Sequence, residues 1–304
     1  MNKKLKKIVS LAFAGMLAVG VLAGCGSAKT TGSGNTSNST QEKSNKKVNI
    51  GYVNWAEGIA MTNLAKVVLE EKMGYEVDMK QGEAGMVFTS LAGGDMDVFM
   101  DGWLPVTHKD YMEKYKEDLE DLGYNYENAR IGLVVPAYMN IKSIEELNGI
   151  KDDLEGKIIG IDPGAGIMKS TKSVIEEYGL DLELLEGSEA TMLAMLKKAI
   201  DDKKPIVITG WSPHWKFSRW DLKFLDDPKG TYGKAENLHT IARKGFSQDM
   251  PEVAEFLKNF KMNDDQLGSL MADIQDSDKD PSEVAKEWMH KNEELVNSWI
   301  PKKN

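Results

Sequence analysis

A single cysteine, Cys25, serves all 304 residues, so no disulfide can close within the chain. Histidine is scarce as well. His108, His214, His239 and His290 are the only four, and no two of them have the His-Glu-x-x-His spacing that presents paired zinc ligands on a helix. The Gly-x-Ser-x-Gly turn that exposes a nucleophilic serine is missing. Basic residues are outnumbered, 38 Lys and Arg against 48 Asp and Glu, for a formal net charge of −10. That balance argues against nucleic acid or an anionic surface as partner, since either calls for a basic face. The longest apolar run, Ile8 to Ala23, is shorter than the ~20 residues a helix needs to cross a bilayer.

That run nevertheless has a meaning. Lys3, Lys4, Lys6 and Lys7 precede it and small residues follow it, the order of a secretory signal rather than of a membrane span. Leu22-Ala23-Gly24-Cys25 resembles the lipobox of bacterial lipoproteins, in which cleavage leaves the cysteine as a lipidated first residue. The expectation is a signal peptide over 1–24, then lipidated Cys25 and a flexible tether over 25–47. The tether is Gly, Ser, Thr, Asn and Lys with almost nothing apolar, too little to offset the entropy of ordering. The protein is thus expected to be exported and held by lipid at the outer face of the bacterial cytoplasmic membrane, anchored to it rather than embedded in it.

From residue 48 onward the composition is globular, with 28% charged and 41% apolar residues over the whole chain. An internal repeat runs through this body. Strand, helix, strand, helix and strand are expected at about 49–53, 59–73, 75–79, 86–92 and 98–100. The same order recurs at 157–161, 167–178, 182–185, 189–200 and 205–209. Each unit closes on Gly-Trp-x-Pro: Gly102-Trp103-Leu104-Pro105 and Gly210-Trp211-Ser212-Pro213. The span from Ile50 to Trp103 nearly equals that from Ile159 to Trp211. Two βαβαβ units of matched length predict an α/β fold of two similar lobes, each a parallel sheet flanked by helices. Ile131–Pro136 and His239–Arg243 read as extended crossings, which together make a two-segment hinge. The expected division is lobe 1 over 48–133, lobe 2 over 134–238, and a return to lobe 1 with C-terminal helices over 239–304. In that tail Trp288 and Trp299 sit at helical spacing among apolar neighbours and are assigned to packing.

Three other tryptophans stand just past short apolar runs: Trp55, Trp103 and Trp211. In open α/β sheets, ligands bind beyond the carboxyl ends of the strands. Three indoles delivered there make an aromatic box, which holds a quaternary ammonium by the attraction of its charge to the ring faces. The competing reading is that large aromatics plug the core. One tryptophan would favour the core; three at equivalent strand ends favour the site. A ligand with a cation at one end and a carboxylate at the other needs an anion site opposite the box. The turn Asp162-Pro163-Gly164-Ala165-Gly166 follows a strand and opens a helix, where free N–H groups meet the positive end of the helix dipole. His108, five residues after Trp103, is a side-chain donor within reach of the same carboxylate. His214 and Trp215 flank Trp211 and stand behind it. Glu57, Asp101 and Asp162 near the strand ends read either as paired acids or as groups that cap helices and orient turns.

Asp162-Pro163-Gly164-Ala165-Gly166-Ile167-Met168, Ile208-Thr209-Gly210-Trp211-Ser212-Pro213-His214-Trp215, Trp103-Leu104-Pro105-Val106-Thr107-His108 and Arg243-Lys244-Gly245-Phe246-Ser247 together resemble the glycine-betaine-binding lipoproteins of ABC importers. The resemblance covers the chain beyond the tether. It implies a two-lobed periplasmic-binding-protein fold of type II, with the cation cage on Trp55, Trp103 and Trp211. It also implies carboxylate binding by the backbone amides of Gly166 and Ile167 and by the imidazole of His108. In some members of that family the Asp-Pro-Gly half comes first; here the order is reversed, which two compact repeat units tolerate.

What the resemblance implies is a non-catalytic receptor that needs no cofactor and no metal and takes a small betaine as ligand. Its partners would be the permease and ATPase subunits of an ABC transporter. Two alternatives stand beside it: an exported enzyme acting on a betaine-like substrate, and a ligand-sensing lipoprotein not coupled to transport.

Overall fold

The computed structural model describes residues 46–302. The expected signal peptide, Cys25 and the tether up to residue 45 lie outside the described residues. Lys47, the last residue of the expected tether, is the first of strand β1 (Lys47–Tyr52).

The first repeat continues with α1 (Ala56–Val68), β2 (Glu76–Gln81), α2 (Ala84–Gly93) and β3 (Val98–Leu104). After α1 the backbone widens into one looser turn, Leu69–Met73, closed by Gly74 at φ 76°, a left-handed conformation that glycine adopts without steric cost. A short helix α3 (Lys109–Lys114) leads into the long strand β4 (Leu119–Pro136). The second repeat is β5 (Lys157–Ile159), α4 (Gly166–Tyr178), β6 (Glu183–Leu185), α5 (Glu189–Asp201) and β7 (Ile208–Ser212). Helix α4 ends on Gly179 at φ 58°, as the first repeat's helix ends on Gly74. Then follow α6 (Lys216–Arg219), β8 (Leu222–Phe224) and β9 (Glu236–Arg243). The tail is helical: α7 (Phe246–Asp249), α8 (Pro251–Asn259), α9 (Asp264–Gln275), α10 (Pro281–Lys291) and α11 (Glu293–Trp299).

The strands lie in the order β2-β1-β3-β9-β4-β7-β5-β6, with β8 on β4. Within each repeat the first strand lies between the other two, and those pairs are parallel, as the sequence pattern predicts. The sheet as a whole is mixed. β9 runs antiparallel to both β3 and β4, and β4 runs antiparallel to β7. β4 joins the halves: up to Ala129 it pairs with β9, and from Arg130 it pairs with β7. The extended segment His239–Arg243 lies within β9, and the chain has already returned to the β3 side by Glu236.

β3 and β7 run further than their apolar stretches. Trp103 pairs with Leu238 and Trp211 with Ile131, so both tryptophans lie inside strands rather than beyond them. The antiparallel neighbours continue the ladder past each apolar run, and the backbone keeps its hydrogen-bond partners.

Of the tail helices, α9 and α10 pack on α1, while α8 packs on β4. Trp288 is buried and donates its indole N–H to Ser269 Oγ at 2.9 Å, while Trp299 is buried with its ring 4.5 Å from that of Phe260. Both serve packing. Among the described residues no helix is long and apolar enough to cross a membrane.

Candidate functional site

Trp55 occupies the N-cap position of α1, with extended backbone. Trp103 comes from β3 and Trp211 from β7. None is more than 5% exposed, yet all three border one small, largely apolar cavity. His108, Gly166 and Ile167 border it as well. The structure therefore brings all six residues expected to touch a ligand around a single space. Ile131, Ile161 and Ala165 add apolar wall, and Glu57 is the one carboxylate at its edge.

The polar lining of the cavity includes donors. Gly166 and Ile167 open α4, and first-turn amides have no acceptor inside their own helix. His108 is fully buried, and its Nδ1 accepts the Trp103 N–H at 3.0 Å. Burial pushes its imidazole down to about 3, so the ring is neutral. An accepting Nδ1 leaves the hydrogen on Nε2, and Nε2 has no partner within the protein. The loop that carries His108 is held by buried Glu236, which accepts the Val106 and Thr107 amides at 2.8 Å each and bonds the Thr107 hydroxyl.

The Trp55 ring stacks on that of His108 at 6.0 Å, and each of the three indole N–H groups meets a carboxylate. Trp103 Nε1 donates to Asp101 Oδ1 at 2.9 Å, Trp211 Nε1 to Glu57 Oε2 at 2.8 Å, and Trp55 Nε1 to Asp162 Oδ2 at 3.4 Å. The last two bonds join one repeat to the other. So do the Ala56 amide on Glu189 Oε2 at 3.2 Å and the Tyr111 hydroxyl on the Gly164 carbonyl at 3.0 Å. The two halves are closed on the cavity.

His214 and Trp215 lie behind Trp211 and do not border the cavity. The His214 ring packs edge-on at 5.1 Å from Trp211, and its Nε2 lies 3.0 Å from Glu189 Oε1. Trp215 stacks obliquely on His214 at 5.2 Å. Burial drives the carboxyl groups up: Glu57 to about 7, Glu189 to about 8, and Asp101 well above the usual range. It also brings the Lys216 ammonium down to about 7. Lys216 is fully buried, with Nζ 3.1 Å from the Trp211 carbonyl and 4.2 Å from the centre of its ring. Sequence reasoning passes over Lys216 and Glu236. A lone lysine after a tryptophan carries no local signal of burial, and Glu236 meets the 106–107 amides only through the pairing of β9 with β3.

Residues 46–291 match the family profile described as the substrate-binding domain of the ABC-type glycine betaine transport system. A glycine betaine/carnitine transport binding protein from Listeria monocytogenes is 48% identical over 145 residues, 47% of this chain and 48% of that protein. The match thus spans about half the length of that curated relative. A crystal structure of a glycine/betaine/L-proline-binding protein from Borrelia burgdorferi superposes with a TM-score of 0.81 at 40% identity, covering 84% of this chain and 97% of that one. Lactococcal OpuAC, in its closed form complexed with glycine betaine, gives a TM-score of 0.79 at 37% identity, with 84% and 99% covered. The fold is that of the type II periplasmic binding proteins.

Proposed function

This chain belongs to the family of substrate-binding domains of ABC-type glycine betaine transport systems, and on that premise we propose that it captures glycine betaine, or a closely related quaternary ammonium compound, between its two halves and delivers it to an ABC permease. The observation that carries the reading is the mixed lining of the one cavity. Three indoles border it together with Gly166 and Ile167, at the start of α4, and the neutral His108, whose Nε2–H has no partner within the protein. A betaine has the matching halves: a permanent cation for the ring faces and a carboxylate for the donors. Each indole contributes roughly 0.5 to 2 kcal/mol toward the cation, more as the cage becomes drier.

In this reading Trp55, Trp103 and Trp211 form the cation cage, and Gly166, Ile167 and His108 bind the carboxylate. His214 and Trp215 support the cage from behind. The site does no chemistry on its ligand. One lobe comprises 48–133 and 239–304, the other 134–238, and β4 with the segment leading to β9 carries the hinge between them. Closure buries the ligand and offers a joint surface of both lobes to the permease, whose ATPase subunits drive release. Lipid on Cys25 holds the protein at the outer face of the bacterial cytoplasmic membrane, with the residues before β1 as its tether.

Titration calorimetry with glycine betaine, choline and glycine tests the reading. Saturable one-to-one heat with glycine betaine and none with glycine is expected. No heat from the folded protein with either quaternary ammonium compound overturns it. Radiolabelled palmitate incorporated into the wild type but not into Cys25→Ala is the matching test of the anchor.

A further inference from the structure

Glu57 and Asp101 share an arrangement that packing alone does not require. Each gives one oxygen to a cage indole, Glu57 Oε2 to Trp211 and Asp101 Oδ1 to Trp103. Each leaves its other oxygen, Glu57 Oε1 and Asp101 Oδ2, buried without a partner. Both residues are 1% exposed. They are neighbours: a Cβ placed on Gly58, next to Glu57 in the first turn of α1, would lie 2.8 Å from Asp101 Oδ2. A neutral amide would accept the same indole N–H at far lower desolvation cost, since an ionised carboxylate with an unmet oxygen is among the most expensive groups to bury. A group able to ionise therefore has a use other than orienting the rings.

Other charged groups face the pair. Lys216 approaches from the β7 side and Glu189 from α5, and both influence Glu57. Asp162 holds Trp55 from the loop before α4. His108 and His214 are both driven toward the neutral form by burial. Three buried acids thus face one buried lysine, and the cluster can ionise fully only if a further cation arrives.

Building on the betaine reading of the cavity, we propose that Glu57 and Asp101 are positioning residues that make the cage selective for a permanent cation. Each fixes an indole plane through its N–H and enriches the electron density of that ring, and the cation of the ligand supplies the countercharge the cluster lacks. An acceptor that is ionised strengthens and polarises the hydrogen bond it receives. In a dry cage a carboxylate one ring away from the cation also attracts it directly. The indoles alone select for shape and polarisability; the carboxylates behind them select for charge.

The test compares glycine betaine with tert-butylacetate, which keeps the shape and the carboxylate but has a neutral quaternary carbon in place of nitrogen. Both are titrated into the full chain and into Asp101→Asn and Glu57→Gln, whose amide oxygens still accept the indole N–H. Glycine betaine affinity is expected to fall about tenfold in each variant, while tert-butylacetate affinity holds or rises. Equal losses for both ligands, or no loss for either, overturn the proposal. A wild type that binds neither ligand overturns the functional reading and this one with it. A wild type that binds glycine betaine, with a preference unchanged in the variants, overturns this one alone.

A second measurement needs neither the Asn or Gln variants nor the neutral ligand. Burial holds protons on the Glu57–Asp101 pair near neutral pH, so arrival of a cation should expel a fraction of a proton near pH ~7. Calorimetry in two buffers of different ionisation enthalpy reads that release. It should persist in Lys216→Met, which excludes the lysine as its source. Absence of release from the wild type, or its disappearance with Lys216, overturns the proposal.

Discussion

Gly166 meets Thr107 across the cavity so closely that a Cβ on the glycine would lie 2.3 Å from the Thr107 carbonyl oxygen. One residue opens a helix of the second repeat and the other lies in the loop after β3 of the first. The contact is therefore made by closure, and only a residue without a side chain permits it. The same glycine borders the cavity, so in the proposed reading one position serves both closure and ligand.

Gly166→Ala should consequently leave each half intact and prevent the halves from meeting. Glycine betaine affinity is expected to drop by more than about tenfold, with the thermal midpoint of the ligand-free protein shifted by only a few degrees. Calorimetry reads the first quantity. Small-angle scattering should show that added ligand no longer compacts the variant. Affinity equal to that of the wild type would mean that Thr107 yields and that the contact does not govern closure.

Removal of any one indole of the proposed cage, by Trp55→Ala, Trp103→Ala or Trp211→Ala, should weaken glycine betaine binding by roughly two- to thirtyfold, the factor that corresponds to ~0.5 to 2 kcal/mol. Circular dichroism should remain that of the wild type. Unchanged affinity in all three variants would return these residues to plain core packing.

His108 should discriminate by ligand. With Nδ1 engaged by the Trp103 amide, only Nε2–H points to the cavity. His108→Ala should weaken glycine betaine more than choline, which has no carboxylate. Because the imidazole is lowered to about 3, its own contribution should not vary between pH ~5 and ~8. Equal losses for the two ligands would give His108 a structural role in holding the loop.

The buried acids make the stability of the ligand-free protein depend on pH in a direction that can be worked out. Glu57 and Glu189 are raised to about 7 and about 8, above the value of ~4.3 for an unperturbed glutamate. The folded state therefore retains protons that the unfolded state has lost. Their contribution is fully present below the unfolded value and is lost as pH rises through the folded values. Below about 7 Lys216 is charged in both states and adds no slope of its own. Buried His108 and His214 are lowered and act in the opposite sense below the ordinary histidine value of ~6.5, so the thermal midpoint should fall chiefly between pH ~6.5 and ~7.5, and Glu57→Gln should flatten the fall. A midpoint that rises over this interval would contradict the burial of these acids.

Much of the site is legible in the chain's own residues because its signals are local. Helix α4 begins and ends within a residue of expectation, since a glycine-rich turn and Gly179 mark its limits. Trp103 and Trp211 can be paired because each closes a repeat with the same Gly-Trp-x-Pro. The lengths of β3 and β7 exceed expectation, because their continuation depends on β9 and β4, strands that no local pattern assigns to them. The mixed character of the sheet escapes sequence reasoning for the same reason.

The sequence by itself determined the alternation of strands and helices, the repeat, and which residues would gather around one cavity. These depend on turn geometry, periodicity and strand ends, all set within a few residues of each position. Only the tertiary structure decided what stands behind those residues. Trp211 finds Glu57 154 positions away and Trp55 finds Asp162 107 positions away, while Lys216 becomes fully buried beneath a cage indole. Such partners are chosen by the register of β4 and β9 and by the approach of the two halves, and so the electrostatics of the cage is a property of the closed fold rather than of any segment of the chain.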